Sequence, residues 1–335
     1  MWRPLSAIVF LMAICLLTAY DDYSYVGLMQ SLDELAQHHR DRITLREVGI
    51  TYQDRSLILA MITNGDGRLG KRVIFVVAAL HGDWMSVRAA FKTIKDLVLD
   101  FQDNADLLAD FDWHIMPLAN PDGYEYSRKL TSNFRWSKTR TRNNVDCIGT
   151  NLNRNFDVGW GVGFPELHDP CDQNYAGSAP FSEVEARTVR DIMQNLIKSE
   201  RGVMYLSLHT FLRSVIYPWV YNSTWVPNQG ENIEIAKFVT DQIFIRTGKV
   251  KAVGVQYGRK SGDTSIDYAF KMGFPLSFAC EMSGLDRVNN LVICIRAFGK
   301  KAIEKYPPSR PIHQSEEHRP TKNSASRNWD LAPVL

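Results

Sequence analysis

Five widely separated polar residues, His81, Asn153, Arg154, His209 and Glu281, are of types that work together in peptide chemistry. Hydrolysing a peptide bond at neutral pH needs an activated water and a stabilised oxyanion. Zinc held by three protein ligands, with one coordination position open, does both. A His-x-x-Glu turn with a distant His supplies such ligands, and a further carboxylate serves as general base. An Arg fork beside an amide suits a terminal carboxylate. The chain breaks this pattern at one point. His81 is followed by Gly82, Asp83 and Trp84, and an indole has only an N–H donor with which to meet a metal.

The surrounding pattern predicts how these residues are held. Residues 71–80 (KRVIFVVAAL) form a continuous, β-branched run, as a strand buried on both faces should, and His81 follows at its carboxyl edge. Further strands are predicted at 56–63, 111–119, 203–209 ending at His209, and 275–283 carrying Glu281. Helices are predicted at 26–40, 85–99, 182–198, 230–247, 265–273 and 290–305. Ser182 with Glu185 three residues later reads as a capping box for the third of these, and Asn120-Pro121-Asp122-Gly123 reads as a turn. Residues 123–180 are polar and glycine-rich, a loop region long enough to be functional. Strands alternating with helices imply an α/β fold: a mixed, mostly parallel twisted sheet with helices on both faces. Sites in such folds lie beyond the carboxyl ends of the strands, where His81, His209 and Glu281 fall.

At 335 residues with 45% hydrophobic content, the chain has material for a sizeable core, and a net charge of +2 gives no reason to expect nucleic acid as a partner. Residues 1–19 read as a secretory signal, with Arg3 before an apolar run from Ala7 to Leu17 that is short for a membrane span; an uncleaved anchor is the alternative. No other stretch is apolar enough to span. Residues 20–306 are read as the folded domain and 307–335 as a polar, proline-rich, disordered tail. Export fits the cysteines: Cys147 and Cys171, flanking Asn153-Arg154, are expected to pair. Cys280 is expected to be a buried free thiol, with a bond to Cys294 the less favoured alternative. Asn222-Ser223-Thr224 is an N-glycosylation sequon. A secreted monomer is expected.

Cys147-Ile148-Gly149-Thr150-Asn151-Leu152-Asn153-Arg154-Asn155-Phe156-Asp157, Asn120-Pro121-Asp122-Gly123-Tyr124, Trp136 with Lys138-Thr139-Arg140, Leu206-Ser207-Leu208-His209-Thr210 and Tyr217-Pro218 together resemble the zinc metallocarboxypeptidase A/B family, over residues 22–305. The resemblance implies a zinc carboxypeptidase-like fold acting on peptide or protein C-termini, with Zn2+ as cofactor. It implies His81 and His209 as zinc ligands, Glu281 as general base, and Asn153 and Arg154 as the clamp on the substrate's terminal carboxylate. It sets Ile266 where side-chain preference is decided, and an apolar residue there resembles the A-type enzymes, which favour apolar or aromatic C-terminal residues. The mature chain is expected to begin directly with the catalytic-type domain, without the inhibitory prodomain that many relatives carry.

The departures from the family pattern concentrate in the site. Trp84 stands at the zinc-binding glutamate's place and is read as core or pocket filler. Asp83 stands where an Arg would assist substrate; it is read as the N-cap of the next helix or as a substitute ligand. Ser137 replaces an Arg that polarises the scissile carbonyl, with Arg135 two residues away. The position of the substrate-loop tyrosine holds Arg259, with Tyr257 two residues early. The stretch from Ser283 to Asn290 is about a dozen residues short of the family's, and Arg154 has Asp157 as an alternative partner. The sequence therefore points to a degenerate carboxypeptidase, weakly active or inactive. The alternatives are an active A-type enzyme with Asp83 in the zinc shell and a non-catalytic peptide-binding protein.

Overall fold

A computed structural model describes residues 23–129, 136–143, 146–210, 212–222, 224–247, 253–255, 264–283, 286–308 and 310. The expected signal, the expected tail apart from Pro307, Pro308 and Arg310, and the residues Arg135, Tyr257 and Arg259 lie outside the described residues.

The described elements run α1 (Tyr25–His38), β1 (Ile43–Ile50), β2 (Ser56–Ile62), β3 (Arg72–Ala78), α2 (Trp84–Leu99), α3 (Ala105–Leu108), β4 (Phe111–Met116) and α4 (Pro121–Lys129). They continue with α5 (Val184–Lys198), β5 (Gly202–Thr210), β6 (Ser214–Ile216), α6 (Gln229–Thr247), β7 (Val253–Val255), α7 (Ser265–Met272), β8 (Leu276–Met282) and α8 (Arg287–Lys305). The strands form one eight-stranded sheet in the order β1-β2-β4-β3-β5-β8-β6-β7. The central ladders β4–β3, β3–β5 and β5–β8 are parallel, while β1–β2, β2–β4 and β6–β8 are antiparallel. The mixed, mostly parallel sheet expected from the sequence is the one found.

Side-chain alternation along the central strands divides the core into two layers. Ile74, Val76 and Ala78 of β3 face one apolar cluster, and Val73, Phe75 and Val77 face the other. On β8, Leu276, Phe278, Cys280 and Met282 face the first cluster, shared with α2, α6 and α8. That alternation corrects one expectation. Cys280 is not a free thiol: its side chain points at α8 and is bonded to Cys294, which is fully buried there. The expected Cys147–Cys171 bond is also present.

Two local readings change as well. Asn120-Pro121-Asp122-Gly123 opens α4 rather than a turn: Pro121 takes the first helical position and the Asn120 Oδ1 accepts from Gly123 N at 2.9 Å. The capping box at Ser182 does not form. Glu183 is the residue before α5, and its carboxylate instead takes hydrogen bonds from Thr139 Oγ1, Thr141 Oγ1 and Ser182 Oγ. Glu185 turns inward, 1% exposed, with neither carboxylate oxygen partnered.

Where α8 crosses α3 and β4, Gly299 lets Trp113 pack flat; a Cβ there would lie 2.6 Å from two indole carbons. Trp113 is fully buried and its N–H donates to the Leu107 carbonyl at 2.9 Å, so the ring has little freedom to retreat. Gly299→Ala is expected to destabilise the fold by about 1–3 kcal/mol in urea unfolding, the usual cost of overpacking.

Glu185 gives a pH prediction. Burial raises its pKa to about 8, with Glu183 and Asp122 adding repulsion. Because the folded pKa exceeds the unfolded one, the neutral acid's advantage is complete below about pH 4.5 and is lost as pH rises toward 8. Glu185→Gln should therefore gain stability over the wild type progressively between those values, by a few kcal/mol at the upper end. Parallel unfolding curves for both proteins across that range would count against it.

Candidate active site

The site is built where the parallel strands end. β5 and β8 pair with His209 opposite Glu281, which sets the two side chains beside each other on one face of the sheet. His81 follows the neighbouring β3 by three residues, within a turn that has positive φ at Ala79 (+61°) and Gly82 (+63°). A Cβ on Gly82 would come within 2.9 Å of the Tyr124 backbone nitrogen, so the turn carrying His81 packs directly on the start of α4.

The two imidazole rings stand with centroids 5.1 Å apart, tilted by 52°. The Nδ1 atoms of both are buried and without a partner. His209 is held through its other nitrogen, Nε2, which lies 2.7 Å from Ser207 Oγ. Ser207 sits two residues earlier on the same strand face, so the period-2 rule applied to His209 would have found it. Burial lowers the pKa of both histidines, with Arg154 adding repulsion; His81 falls to about 4. Both are neutral imidazoles at physiological pH, the form in which histidine ligates metal.

Asn153 and Arg154 lie in a short 3-10 turn, Leu152–Arg154, inside the long polar segment. That segment is tied down by the Cys147–Cys171 bond and by side-chain contacts. Asn155 Nδ2 donates to the carbonyls of Ala176 and Ala179, and the Lys138 ammonium donates to those of Pro170 and Asp172. Asn153 Oδ1 accepts from Ser265 N at 3.0 Å and from Ser265 Oγ at 3.1 Å, which fixes the amide to the start of α7. Its Nδ2 end is left as a donor. Arg154 acts electrostatically on His81, His209 and Glu281 together, so its charge faces the centre of the site. Arg154 Nη1 donates to the Asn153 carbonyl at 2.8 Å, and the backbone carbonyl of Asp157 accepts from Lys271 Nζ.

These groups open onto a cavity of about 610 Å3, whose lining includes His81, Asn153, Arg154 and Glu281. Ile216, Val220, Ile266 and Ala279 supply an apolar wall. No feature of the sequence marks Val220 as part of the site. It is placed by Asp267, fully buried, whose carboxylate accepts from the backbone N–H of Val220 and of Tyr221. Burial raises the Glu281 pKa to about 7; Arg154 opposes this and Asp83 adds to it.

Position 84 departs from expectation. Trp84 neither fills the core nor enters the cavity. It is the first residue of α2, 38% exposed, with its ring against Arg88 on an outer surface. The reason is the helix start, which turns position 84 outward and makes Asp83 the N-cap. Asp83 Oδ1 accepts from Ser86 N at 2.9 Å and from Thr210 Oγ1 at 3.3 Å, and Oδ2 accepts from Ser86 Oγ at 2.7 Å. Burial raises its pKa. Asp83 is nonetheless close to the chemistry, since Thr210 adjoins His209 and Asp83 acts on Glu281.

The two buried Nδ1 atoms are left without partners, as nitrogens of a metal-ligating type would be. A closed zinc centre does not fit: among the described residues no group of three His, Cys, Asp or Glu could hold a metal. Ser137 offers no cation to a carbonyl oxygen; its hydroxyl lies 3.3 Å from Gln173 Oε1. Asn222 is half-exposed, its Oδ1 accepting from Thr224 N.

Comparison with known proteins agrees with this architecture. Residues 28–306 match the family model described as zinc carboxypeptidase. The chain is 32% identical over 280 residues to Carboxypeptidase B of Helicoverpa zea, covering 79% of this chain and 64% of that protein. It is 27% identical over 270 residues to Mast cell carboxypeptidase A of Rattus norvegicus, covering 78% and 63%. The chain thus spans somewhat under two thirds of the length of these relatives. Among solved structures, Carboxypeptidase A from Helicoverpa armigera superposes with a TM-score of 0.75 at 25% identity, covering 85% of this chain and 74% of that one. The set of strand-end histidines, Asn-Arg turn and β8 glutamate thus sits on a shared frame, and the chain belongs to the zinc carboxypeptidase family.

Proposed function

We propose that this protein binds peptide C-termini in a carboxypeptidase frame and hydrolyses them weakly or not at all. The observation that carries the reading is the split state of the site. The substrate-holding half is assembled: Arg154, the Asn153 amide and an apolar wall containing Ile266 surround one cavity. The metal-holding half stops at two imidazoles.

Each half acts on a different part of a peptide. The Arg154 guanidinium takes the terminal carboxylate with charge-assisted hydrogen bonds, and Asn153 Nδ2 adds a neutral donor. Ile216, Val220 and Ile266 give an apolar or aromatic C-terminal side chain a place to leave water. Glu281 is the residue available to move a proton beside the scissile bond. Damage to a metal site's supporting groups alone commonly costs about 10–100-fold in affinity or activity, and loss of an oxyanion-stabilising donor about 100–1,000-fold more. With Trp84 and Ser137 both changed, turnover falls by about 1,000-fold or more. The two disulfides favour an oxidising compartment, in keeping with secretion. No described helix is long and apolar enough to cross a membrane.

A second reading rests on Asp83. Its half-buried carboxylate lies within the electrostatic reach of Glu281, and a side-chain rotation that gave up the Ser86 contacts would offer an oxygen to the site. This would restore an active, A-type enzyme.

One set of measurements separates the readings. Chelator-treated protein is titrated with Zn2+ and assayed on a peptide ending in Phe, and binding of the intact peptide is followed calorimetrically. The expected result is substoichiometric, weakly held zinc, trace release of Phe, and peptide binding that drops about tenfold or more in Arg154→Ala and with a C-terminally amidated peptide. Stoichiometric zinc with rapid trimming, both abolished by Asp83→Asn, would instead establish the second reading. Binding indifferent to Arg154 and to amidation would defeat both.

A further inference from the structure

We propose that a groove on the outer face of α2, separate from the central cavity, binds an acidic segment of a partner protein, with Arg88 receiving the acid. Trp84, Arg88 and Lys92 recur at four-residue spacing along one face of α2. The start of α8, from Asp286 to Asn289, forms the opposite wall, and the groove between them encloses about 460 Å3.

Arg88 is held without being satisfied. Its guanidinium carbon lies 4.3 Å from the centroid of the Tyr23 ring and 5.3 Å from that of Trp84. Among the described residues it makes no hydrogen bond or ion pair. Two aromatic rings therefore restrict the guanidinium while its N–H donors are unused, and donors in a fixed fork suit bidentate binding of an oxyanion.

The neighbouring charges narrow the ligand. Lys92 is already paired with Asp96 at 2.9 Å, and Asp286 accepts from Asn289 Nδ2. With Lys92 taken by Asp96, Arg88 is the cation of this groove that is left with donors to offer. A sulfated glycan needs a row of open cations, and here the next cation along α2 is taken. A protein segment needs one site for a carboxylate and apolar surface for the residues beside it. Trp84, 38% exposed, with Met85 and Val288, supplies that surface. The indole that displaced a metal-ligand type at position 84 is, in this reading, part of a recognition surface.

The test uses the full chain and a Glu-rich peptide with flanking apolar residues, N-acetylated and C-terminally amidated so that it presents no terminal carboxylate to Arg154. Titration at low salt, where exposed charges are least screened, should give saturable binding. Arg88→Ala should weaken it about tenfold and Arg88→Lys several-fold, with Arg154→Ala unchanged. A fluorescence change on binding should be lost in Trp84→Phe. Thermal unfolding of Arg88→Lys, which keeps the charge and most of the stem, controls for folding. Equal affinity across the Arg88 variants, no binding at millimolar peptide, or binding of a heparin-type oligosaccharide in preference to the peptide would overturn the proposal. Because the peptide lacks a free C-terminus, its failure leaves the central-cavity reading untouched.

Discussion

The register between β5 and β8 is the constraint on which the site depends. In a parallel ladder, opposite residues share a face, so pairing His209 with Glu281 fixes an imidazole beside a carboxylate without help from any loop. A slip of one residue would send Glu281 into the layer that holds Cys280 and Met282. The register is secured from behind: Leu276, Phe278, Cys280 and Met282 are buried against α8, and the Cys280–Cys294 bond ties the strand's end to that helix. The carboxylate is thus placed by the packing of the opposite face of its own strand. The connection from β8 to α8, Met282 to Arg287, is short, which keeps the strand's end close to that helix.

A second constraint acts at the start of α2. The turn after β3 delivers His81, and the helix begins three residues later, leaving Asp83 as the only residue able to cap it. Capping spends both carboxylate oxygens on Ser86 and Thr210. It also contributes roughly 1 kcal/mol to the helix, the usual value of an N-cap. Stability and metal ligation therefore compete for one side chain. A glutamate in a His-x-x-Glu turn escapes this competition because it is a different residue from the cap. Here the indole of Trp84 offers no such donor, and the Asp83 carboxylate is held in the cap.

The sequence made the sheet and the strand-end positions legible because β3 and β5 are continuous apolar runs whose burial dictates their place at the centre of the sheet. Strand ends placed His81, His209 and Glu281, whereas Asn153, Arg154 and Ile266 were singled out by the family resemblance alone; His81, Asn153, Arg154, Ile266 and Glu281 line one cavity. The sequence did not reveal where Trp84 would point, since that depends on which residue the helix starts at, and helix starts are poorly fixed by periodicity. It missed the Cys280–Cys294 bond because pairing depends on which face of β8 meets α8. It missed β1, whose half-exposed, alternating residues Arg46 and Glu47 gave no apolar run to read. Asp267, a buried carboxylate that shapes the cavity through backbone N–H groups of Val220 and Tyr221, leaves no local signature, because its partners lie 46 and 47 residues away.

These constraints act on separable parts of the molecule. The Asn153–Arg154 turn is stabilised by a disulfide, by Asn155 and Lys138, and by the start of α7. His209 is oriented by Ser207, and Glu281 by the ladder behind it. None of these contacts involves Asp83 or Trp84, so the start of α2 can vary without disturbing them. Burial holds both histidine rings neutral, and their buried Nδ1 atoms lack partners. Arg154 acts on both rings and on Glu281, whose pKa burial raises to about 7, while Glu166 and Asp172 line the same cavity. The guanidinium thus sits among groups of both signs, and the field that an entering ligand meets is set by the whole lining.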